Sequence, residues 1–413
     1  MPVKRIFDPI AHFIELDAGE TALLDLPVLQ RLRRLRQVGL AYLAYPSAEH
    51  TRFSHALGAL AMGERALEAI RRHSPEYFSG EADFARQRKL LRVALLLHDI
   101  GHGPFSHACE AVLGCEHESR TEAILGLARV HAAIGNAGVD PAAVLELIRG
   151  DRGAPPVLKE LVSGPNLDCD RMDYLLRDSY FTGVVNGRYD VEQLIASLRI
   201  YNVDGAPALG VDGRGVVALE SFVLARYMMF ASVYFHHTTR MFERVLQDAL
   251  RSLWPNPRAL DDIQEYLAWD DFRVLDALRT ATTAQARALR ERTIVYGLAA
   301  EFNGEYHLTT YNACQTALKA RYGAAVWGDE QEQLLHRLPL GAAASSGPTV
   351  LVNLAGGLVD AREASDVIRK LSGKAYWRKL YVKRDTASTT QARALCEAIV
   401  REESARQAQG ARP

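Results

Sequence analysis

The histidines of this 413-residue chain are concentrated in one stretch, where they stand beside carboxylates. Seven of the 13 histidines lie between residues 50 and 117, whereas an even distribution would place about two there. Within this stretch, His98-Asp99 follows the run Leu90–Leu97, which is apolar on nearly all sides and typical of a buried helix. An imidazole and a carboxylate are costly to bury alone, and a divalent cation compensates both as its ligands. The pattern therefore predicts a metal centre.

Further ligands for such a centre are available from two other segments. His55 and one aspartate of the run Asp168–Asp178 complete a His-His-Asp-Asp set. This mixture of nitrogen and oxygen donors suits Mn, Mg, Fe, Zn or Ni and does not choose among them. Taken singly, a His-Asp pair is more often a solvated helix end, and aspartates are more often helix caps. We favour the metal because the ordinary explanation needs several coincidences in one order along the chain.

The overall composition is that of an ordinary globular protein. Hydrophobic residues make up 48% and charged residues 24%, and 49 Lys+Arg against 50 Asp+Glu leave a net charge of −1. These values exclude a disordered chain, a collagen-like chain and a strongly basic nucleic-acid coat. The N-terminus lacks an apolar signal core, no run approaches about 20 uninterrupted apolar residues, and the five cysteines form no CxxC pair. We therefore expect a cytoplasmic protein with no membrane association.

Hydrophobic periodicity predicts a mainly α fold whose first part spans residues 1–260. One helix of this part is expected to begin with Asp25 as its N-cap and to turn its arginines mainly toward solvent. Another long helical stretch covers residues 219–250, and a small hairpin near 206–218 is expected to turn at Asp212-Gly213.

A second part, residues 261–400, is predicted as a helical and α+β region, and its position suggests a role in assembly or regulation. Two strands are expected at 349–354 and 377–382, with a helix at 361–371 between them. A linker is expected at 341–348 and a polar tail at 401–413.

Longer strings around the candidate ligands are specific to one group of enzymes. The order His55, His98-Asp99, Asp170 resembles the HD-domain metal-dependent phosphohydrolases. From about Ile6 to Leu250 the chain resembles, within them, the deoxynucleoside triphosphate triphosphohydrolases, which include the vertebrate SAM-and-HD-domain protein and bacterial relatives. The strings that carry this resemblance are Gln30-Arg-Leu-Arg33, Gln37-Val-Gly39, Arg52-Phe-Ser-His55, His98-Asp-Ile-Gly-His-Gly-Pro-Phe-Ser-His107 and Asp170-Arg-Met-Asp-Tyr-Leu-Leu-Arg-Asp178. The resemblance implies an HD-domain helical bundle core.

The resemblance also implies a role for each matching residue. The matches to the metal ligands are His55, His98, Asp99 and Asp170. His107 matches the general acid that protonates the leaving 5′-oxygen, and Glu110 matches the acidic residue that orients it. His102 and His117 match histidines that contact the α- and β-phosphates. The matches to further phosphate contacts are Arg52, Arg171, Tyr174 and Arg226.

The sugar and base ends of the implied substrate site show two departures from the family. Gln37 and Asp178 match the residues that bind the 3′-hydroxyl, and Tyr234 matches the aromatic residue that excludes a 2′-hydroxyl. Val38, beside Tyr234 in that role, is smaller than the family's Leu, and Phe230 stands where the vertebrate form has a His near the base. The strictness against ribose and the base preference therefore stay open.

An activating guanine nucleotide, bound between subunits, is implied by a separate set of matches, Lys4, Asp25, Gln30 and Arg33. In the same stretch Phe7 replaces the family's Asn. A helix cap at Asp25 and solvent-facing Gln30 and Arg33 explain these residues equally well without an effector. The effector hypothesis requires a homo-oligomer, a dimer or a tetramer.

The function that the resemblance implies is metal-dependent hydrolysis of deoxynucleoside triphosphates to deoxynucleoside and inorganic triphosphate. Two alternatives stay open: an HD phosphodiesterase or phosphohydrolase that acts on another nucleotide or a nucleic-acid 3′ end, and a non-catalytic nucleotide-sensing oligomer. The proton donor at His107 favours an enzyme, because a sensor does not need one. The arginines between Arg31 and Arg36 are only weak evidence for nucleic-acid binding, since such patches are commonly solvated helix faces.

Overall fold

The computed structural model describes residues 3–151, 153–164, 166–304, 307–336 and 350–410, so the linker predicted at 341–348 lies outside the described residues. The fold is mainly α with a small C-terminal α+β region, as predicted. The strands are β1 Lys4–Asp8, β2 His12–Leu16, β3 Leu198–Val203, β4 Ala206–Asp212, β5 Tyr296–Asn303, β6 Val326–His336, β7 Leu351–Leu354, β8 Gly357–Asp360 and β9 Gly373–Lys383. The helices are α1 Ala18–Leu24, α2 Pro27–Gln30, α3 Arg52–His73, α4 Glu81–Leu97, α5 His107–Leu113, α6 His117–Leu125, α7 Ala128–Asn136, α8 Pro141–Arg149, α9 Pro156–Ser163, α10 Cys169–Thr182, α11 Val191–Ala196, α12 Val216–Met229, α13 His237–Leu253, α14 Ile263–Leu267, α15 Asp271–Thr280, α16 Ala284–Arg290, α17 Leu308–Tyr322, α18 Ala361–Ala364, α19 Asp366–Leu371 and α20 Thr389–Gly410.

Three helices form the centre of the protein: α3 packs against both α4 and α10. Every residue of α4 from Leu90 to Leu97 is buried, as predicted, because this helix is surrounded by others on all sides. α4 ends at His98, and α3 begins at Arg52. The polar residues that follow α4 and those that open α3 therefore lie inside the protein.

One arginine within the buried part of α4 ties three helices together. The Arg92 guanidinium donates to both carboxylate oxygens of Glu20 at 2.7 and 2.8 Å, and to Glu64 at 2.9 Å. Burial opposes ionisation of Glu20, but Arg92 outweighs burial and holds the pKa of Glu20 below its usual value. A buried charge of this kind is tolerated because it is fully paired.

The hairpin predicted near 206–218 lies earlier in the chain. β3 and β4 pair through a turn at Asp204-Gly205, where both residues have positive φ, and not at Asp212-Gly213. Asp212 instead accepts a hydrogen bond from the backbone N–H of Arg214 at the start of a short 3-10 turn before α12. β4 also pairs in parallel with β7, and β7 pairs antiparallel with β8. The strand predicted at 349–354 thus belongs to the sheet of the first part of the chain.

A second sheet, of order β5-β9-β6 and antiparallel throughout, lies in the C-terminal part. It includes the strand predicted at 377–382, and α17 and α20 pack against it. The polar tail predicted from residue 401 is helical as far as Gly410, because α20 continues through it.

Two helix predictions in the first part were wrong in detail. Asp25 is the C-cap of α1, and α2 begins with Pro27 after Leu26, since proline is preorganised for the first helical position. Arg31 does not face solvent: it is 2% exposed and donates to the carbonyl oxygens of His102 and Trp269 at 2.8 and 3.0 Å. The stretch 219–250 is two helices, separated by a π-helical turn at Phe230–Tyr234.

Among the described residues, the helical stretch Gly213–Tyr234 has the length and the apolar composition that would allow it to cross a membrane. Buried residues of α12, among them Phe222 and Val223, pack in the main core. Packing therefore accounts for its apolar character.

We expect Arg92→Ala to destabilise the protein by about 3–5 kcal/mol, because it leaves the buried Glu20 carboxylate without its partner. Arg86→Ala is the matched control on the same helix: it removes an exposed pair with Asp83 and should cost less than about 1 kcal/mol. Urea denaturation followed by circular dichroism measures both. Equal costs for the two variants would contradict this assignment.

Candidate active site

Four of the predicted residues converge where α3, α4 and α10 meet. The ligand atoms of His55, His98 and Asp170 all lie within 4.8 Å of one another. Asp99 completes the group, with one oxygen 3.7 Å from His55 Nε2 and the other 3.6 Å from His98 Nε2. His55 is fully buried, whereas the Asp170 side chain is 36% exposed. The group is thus enclosed on the protein side and open on one side to a substrate.

Hydrogen bonds orient both imidazoles so that Nε2 faces the centre of this group. His98 Nδ1 donates to the carbonyl oxygen of Leu95 at 2.7 Å, which fixes its tautomer. His55 Nδ1 lies 2.8 Å from Asp173 Oδ2. The two Nε2 atoms are 3.3 Å apart, and Asp170 Oδ1 is 3.0 Å from that of His55. Two oriented imidazoles and two carboxylates are donors that fit a divalent cation.

Asp173 is a residue that we did not assign from the sequence. It is fully buried on α10, three residues after Asp170, where helical spacing places both on one side of the helix. Besides His55, it accepts two hydrogen bonds from Arg177, at 2.8 and 2.9 Å. The three- and four-residue spacing of Asp170, Asp173 and Arg177 was the available signal for this shared face.

Arg52, predicted as a phosphate contact, lies against the metal group. Its Nη1 donates to Asp99 Oδ2 at 2.5 Å, and it also donates to the Ser106 hydroxyl at 2.8 and 3.0 Å. Burial disfavours the charged form of Asp99, but the Arg52 charge and the neighbouring His98 and His102 together outweigh burial and hold the pKa of this carboxyl well below its usual range. Arg52 therefore stands at the edge of the centre, where a phosphate would approach.

A second group of predicted residues adjoins the first, around Glu110. One Glu110 oxygen lies 2.9 Å from His107 Nδ1, and the other lies 2.9 Å from His117 Nδ1. The rings of His102 and His117 stack at 3.8 Å, and His102 Nε2 lies 3.3 Å from Asp99. Glu110 thus orients two histidines, not the single one that we predicted for it.

The pKa values of His102 and His117 are shifted in opposite directions. Burial and the nearby Arg52 charge lower the pKa of His102 well below its usual value, so it is neutral near pH 7. Burial also opposes the charged form of His117, but its hydrogen bond to Glu110 and the nearby carboxylate charges together outweigh burial and raise the pKa of His117. The His107 side chain is 75% exposed. It is therefore the member of the group best placed to reach a bound substrate.

The loop before His107 has strained backbone. Phe105 and Ser106 both have φ of 52°, a conformation that side chains other than glycine rarely adopt. Asp271, the first residue of α15, holds this loop by accepting a hydrogen bond from the N–H of Phe105 at 2.8 Å. Its other carboxylate oxygen accepts from the N–H of Arg36 at 2.9 Å, so that Asp271 links the loop to the segment before α3. Burial raises the pKa of Asp271 to about 6. No sequence pattern that we used pointed to Asp271, because it lies far along the chain from the loop.

The predicted sugar contacts lie together on another side of the centre. Asp178 is buried and bonded to His50 Nε2 at 2.6 Å and to the Tyr234 hydroxyl at 2.7 Å. The sequence left His50 without a role, and the structure places it as the partner of Asp178. Gln37 Oε1 is buried without a hydrogen-bond partner among the described residues. The neighbouring Val38 opens the short helical turn Gly39–Leu43.

The predicted phosphate contacts on α10 and α12 form a cationic side. Arg171 donates to the carbonyl oxygen of Gly164 at 2.9 Å and pairs with Asp168. Arg226, which is 4% exposed, lies near Tyr174, and its Cζ is 5.6 Å from the centre of the Phe230 ring. Burial raises the pKa of Tyr174 to about 12, so this hydroxyl is neutral.

The implied effector residues lie outside this site, near the β1–β2 hairpin. Lys4 pairs with Asp25 at 3.4 Å, and Arg33 donates to Gln30 Oε1 at 2.8 Å. Arg33 also lies over the ring of Phe53. Phe7, at the position where the family has Asn, is 65% exposed. The structure therefore brings these residues together in two adjacent pairs.

Two protein-family models match this chain, and one of them covers the candidate site. The HD domain matches residues 52–178, which include all four candidate ligands, and the HD associated region matches residues 189–297. The chain belongs to the HD-domain family. Asp271 lies in the HD associated region.

Individual relatives of this HD-domain protein extend the comparison. An uncharacterized protein of Methanocaldococcus jannaschii is 33% identical over 296 residues, 72% of this chain and 59% of its own length. The deoxynucleoside triphosphate triphosphohydrolase SAMHD1 of Danio rerio is 27% identical over 289 residues, 62% of this chain and 46% of its own length. A crystal structure of a hypothetical protein from Aquifex aeolicus has a TM-score of 0.80 at 28% identity, covering 95% of this chain and all of that one. The chain spans 44% to 63% of the length of the curated relatives it matches.

We expect metal binding at the candidate centre to release protons. Burial disfavours charged His55, but its hydrogen bonds to Asp170 and Asp173, with the charges of these carboxylates, outweigh burial and raise the pKa of His55 to about 10. Below that pH the ring is protonated, and a ligating imidazole must be neutral. Between pH 6 and pH 8 the apparent affinity for Mn²⁺ should therefore rise with pH, by up to about tenfold per unit.

Isothermal titration calorimetry at pH 7, in two buffers of different ionisation enthalpy, measures the protons released. His98→Ala should abolish binding, whereas His131→Gln, on the exposed side of α7, should leave it unchanged. Binding without proton release would contradict the assignment of His55.

Proposed function

We propose that this protein hydrolyses deoxynucleoside triphosphates to deoxynucleoside and inorganic triphosphate, as a cytoplasmic homo-oligomer that requires a divalent metal. The observation that carries the proposal is that the metal group contacts both other groups. Asp99 lies 3.3 Å from His102, beside the Glu110-held histidines, and Tyr174 has its ring centre 6.5 Å from that of His55 and 6.1 Å from that of Tyr234, the partner of Asp178. A deoxynucleoside triphosphate suits all three groups: its phosphates meet the metal group, its leaving 5′-oxygen meets the histidines held by Glu110, and its deoxyribose meets Asp178 and Tyr234. The similarity to SAMHD1 supports the same choice of substrate.

The residues on the phosphate side have to neutralise a polyanion. Arg52, Arg171 and Arg226 supply positive charge around the metal group, and neutral His102 contacts phosphate oxygen without adding charge. When bound, a divalent cation adds Lewis-acid polarisation of a phosphoryl oxygen at this position. In the hydrolysis, water attacks the α-phosphorus and the bond from phosphorus to the 5′-oxygen breaks.

The leaving 5′-oxygen needs a proton, and His107 is placed to give it. Its Nδ1 is held by Glu110, which leaves Nε2 directed away from the carboxylate and toward a substrate. The side chain is exposed, so it can reach the substrate and exchange its proton with solvent between turnovers. His117, held by the other oxygen of Glu110, contacts the phosphates, and its raised pKa favours the charged form that this contact needs.

The sugar side supplies selection for a deoxyribose. Asp178 accepts from the 3′-hydroxyl and the Gln37 side-chain amide donates to its oxygen, with Asp178 fixed by His50 and Tyr234. The Tyr234 ring excludes a 2′-hydroxyl by contact. Phe230, whose ring centre is 5.1 Å from that of Tyr234, forms the base end of this wall.

Incubation of the Mn²⁺-loaded full chain with each dNTP, each NTP, deoxynucleoside monophosphates, cyclic nucleotides and single-stranded DNA, followed by chromatography, tests this proposal. We expect inorganic triphosphate from dNTPs and none after His98→Ala. His107→Gln should lower kcat by about 10²–10⁴ because it removes the proton donor. His131→Gln is the control and should retain the wild-type rate.

The same substrate set separates the other hypotheses. Hydrolysis confined to other phosphate esters would replace the proposal with an HD phosphodiesterase or phosphohydrolase of another specificity. Nucleotide binding without turnover in the presence of Mn²⁺, Mg²⁺, Fe²⁺, Zn²⁺ and Ni²⁺ would replace it with a nucleotide sensor.

We further propose that a guanine nucleotide activates the enzyme at the surface formed by Lys4, Asp25, Gln30 and Arg33. Hydrolysis of dATP should then accelerate on addition of dGTP, with a shift to a larger oligomer in light scattering. Arg33→Ala should abolish the acceleration and leave the unstimulated rate unchanged, and Arg72→Ala, on an exposed part of α3, should change neither. Identical turnover of dATP with and without dGTP would refute this effector site.

A further inference from the structure

A continuous chain of buried ion pairs connects the N-terminal hairpin to a candidate metal ligand. Asp8, the last residue of β1, accepts from Arg177 Nη1 at 2.8 Å and from Arg177 Nη2 at 3.0 Å. Arg177 donates in turn to Asp173, and Asp173 holds His55 Nδ1 at 2.8 Å. The side chains of the four residues are between 0% and 6% exposed. The chain therefore lies wholly inside the protein.

The surroundings leave this chain little freedom to rearrange. A Cβ added to Gly58 of α3 would lie 1.9 Å from Asp173 Oδ1 and 2.2 Å from Arg177 Nη2, so a glycine is required for α10 to approach so closely. Asp8 is itself held, because its Oδ1 accepts from the backbone N–H groups of Ile10 and Ala11 at 2.9 and 2.8 Å. The position of the hairpin turn thus determines where the Arg177 guanidinium can lie.

We propose that Asp8 is a positioning residue for the metal centre: through Arg177 and Asp173 it fixes the ring of His55 and thereby sets the affinity for the cation. Arg177 presents a rigid fork that bridges two carboxylates, so that displacement of Asp8 frees Asp173 to turn away from His55. A direct partner of a ligand, as Asp173 is of His55, commonly contributes 10- to 100-fold to metal affinity, and Asp8 acts on this partner through Arg177. The inference rests on the metal requirement of the proposed function but not on the identity of its substrate.

A purely structural ion pair is the competing explanation, because breaking a buried pair also destabilises a fold. The two explanations differ in the metal-binding constant of the folded protein. A structural pair changes the melting temperature and leaves the affinity for Mn²⁺ unchanged. A positioning chain changes that affinity, and its effect disappears once the chain is already cut at Asp173.

The test measures the Kd for Mn²⁺ of the full chain by electron paramagnetic resonance of the free ion, at a temperature where circular dichroism shows each variant to be folded. Asp8→Asn keeps an oxygen for the turn N–H groups and loses one acceptor for Arg177. We expect it to weaken Mn²⁺ binding by at least about tenfold. Glu15→Gln, which removes the exposed Arg5–Glu15 pair on the same hairpin, is the matched control and should change the Kd by less than about twofold.

Two further variants complete the test. Asp8→Asn added to Asp173→Asn should weaken binding no further than Asp173→Asn alone. If Asp8→Asn does not fold, Arg177→Lys, which keeps the charge and loses the fork, should show the same weakening. An unchanged Kd in the folded variant, or a full additional effect in the double variant, overturns the inference. Absence of Mn²⁺ binding by the wild-type chain would instead overturn the metal requirement itself, and with it this inference.

Discussion

Charge placed inside the protein is the constraint on which the rest of the structure depends. Helices α3, α4 and α10 are largely apolar where they pack, yet they bring imidazoles, carboxylates and arginines into the interior. Since an unpaired ion there is very costly, each must meet an opposite charge or a hydrogen-bond partner. Arg92 satisfies this by joining three helices, and Asp178 satisfies it with His50 and Tyr234. The pairs that compensate burial therefore also determine the geometry of the site.

The candidate ligands could be predicted from the sequence because they stand in long, specific strings next to a recognisable buried helix. Their partners could not, because pairing between distant segments leaves no mark in a single chain. His55 and Asp173 are 118 positions apart, and His50 and Asp178 are 128 apart. Asp271 is farther still, 166 positions from the loop that it holds. The sequence thus indicated which residues form the candidate site, and the structure was needed to show what holds them in place.

Secondary-structure elements were likewise predictable where local sequence determines them and not where distant segments do. The buried helix α4 was predictable because its apolar pattern is local. The hairpin turn was not, since Asp204-Gly205 and Asp212-Gly213 are the same dipeptide and both suit a tight turn. The choice between them is made by β4 extending to Asp212, where it pairs with β7 from much later in the chain. Likewise, aspartate is a favoured N-cap residue, which is why Asp25 was predicted to begin the helix, but α2 begins at Pro27.

The pairing of β4 with β7 gives the chain an order of assembly. Val211 lies beside Val352, and the segments between them include β5, α17 and β6 of the other sheet. During synthesis the first sheet therefore exists as a two-stranded hairpin while β5, α17 and β6 emerge from the ribosome; β9, which joins β5 to β6, follows only after β7. Throughout that interval one side of β4 presents unpaired backbone groups, which are open to a strand of another nascent chain. Pairing with β7 ends this exposure. A chain truncated before residue 351 would therefore contain the helical site but keep an unpaired β4 edge that can bind another strand.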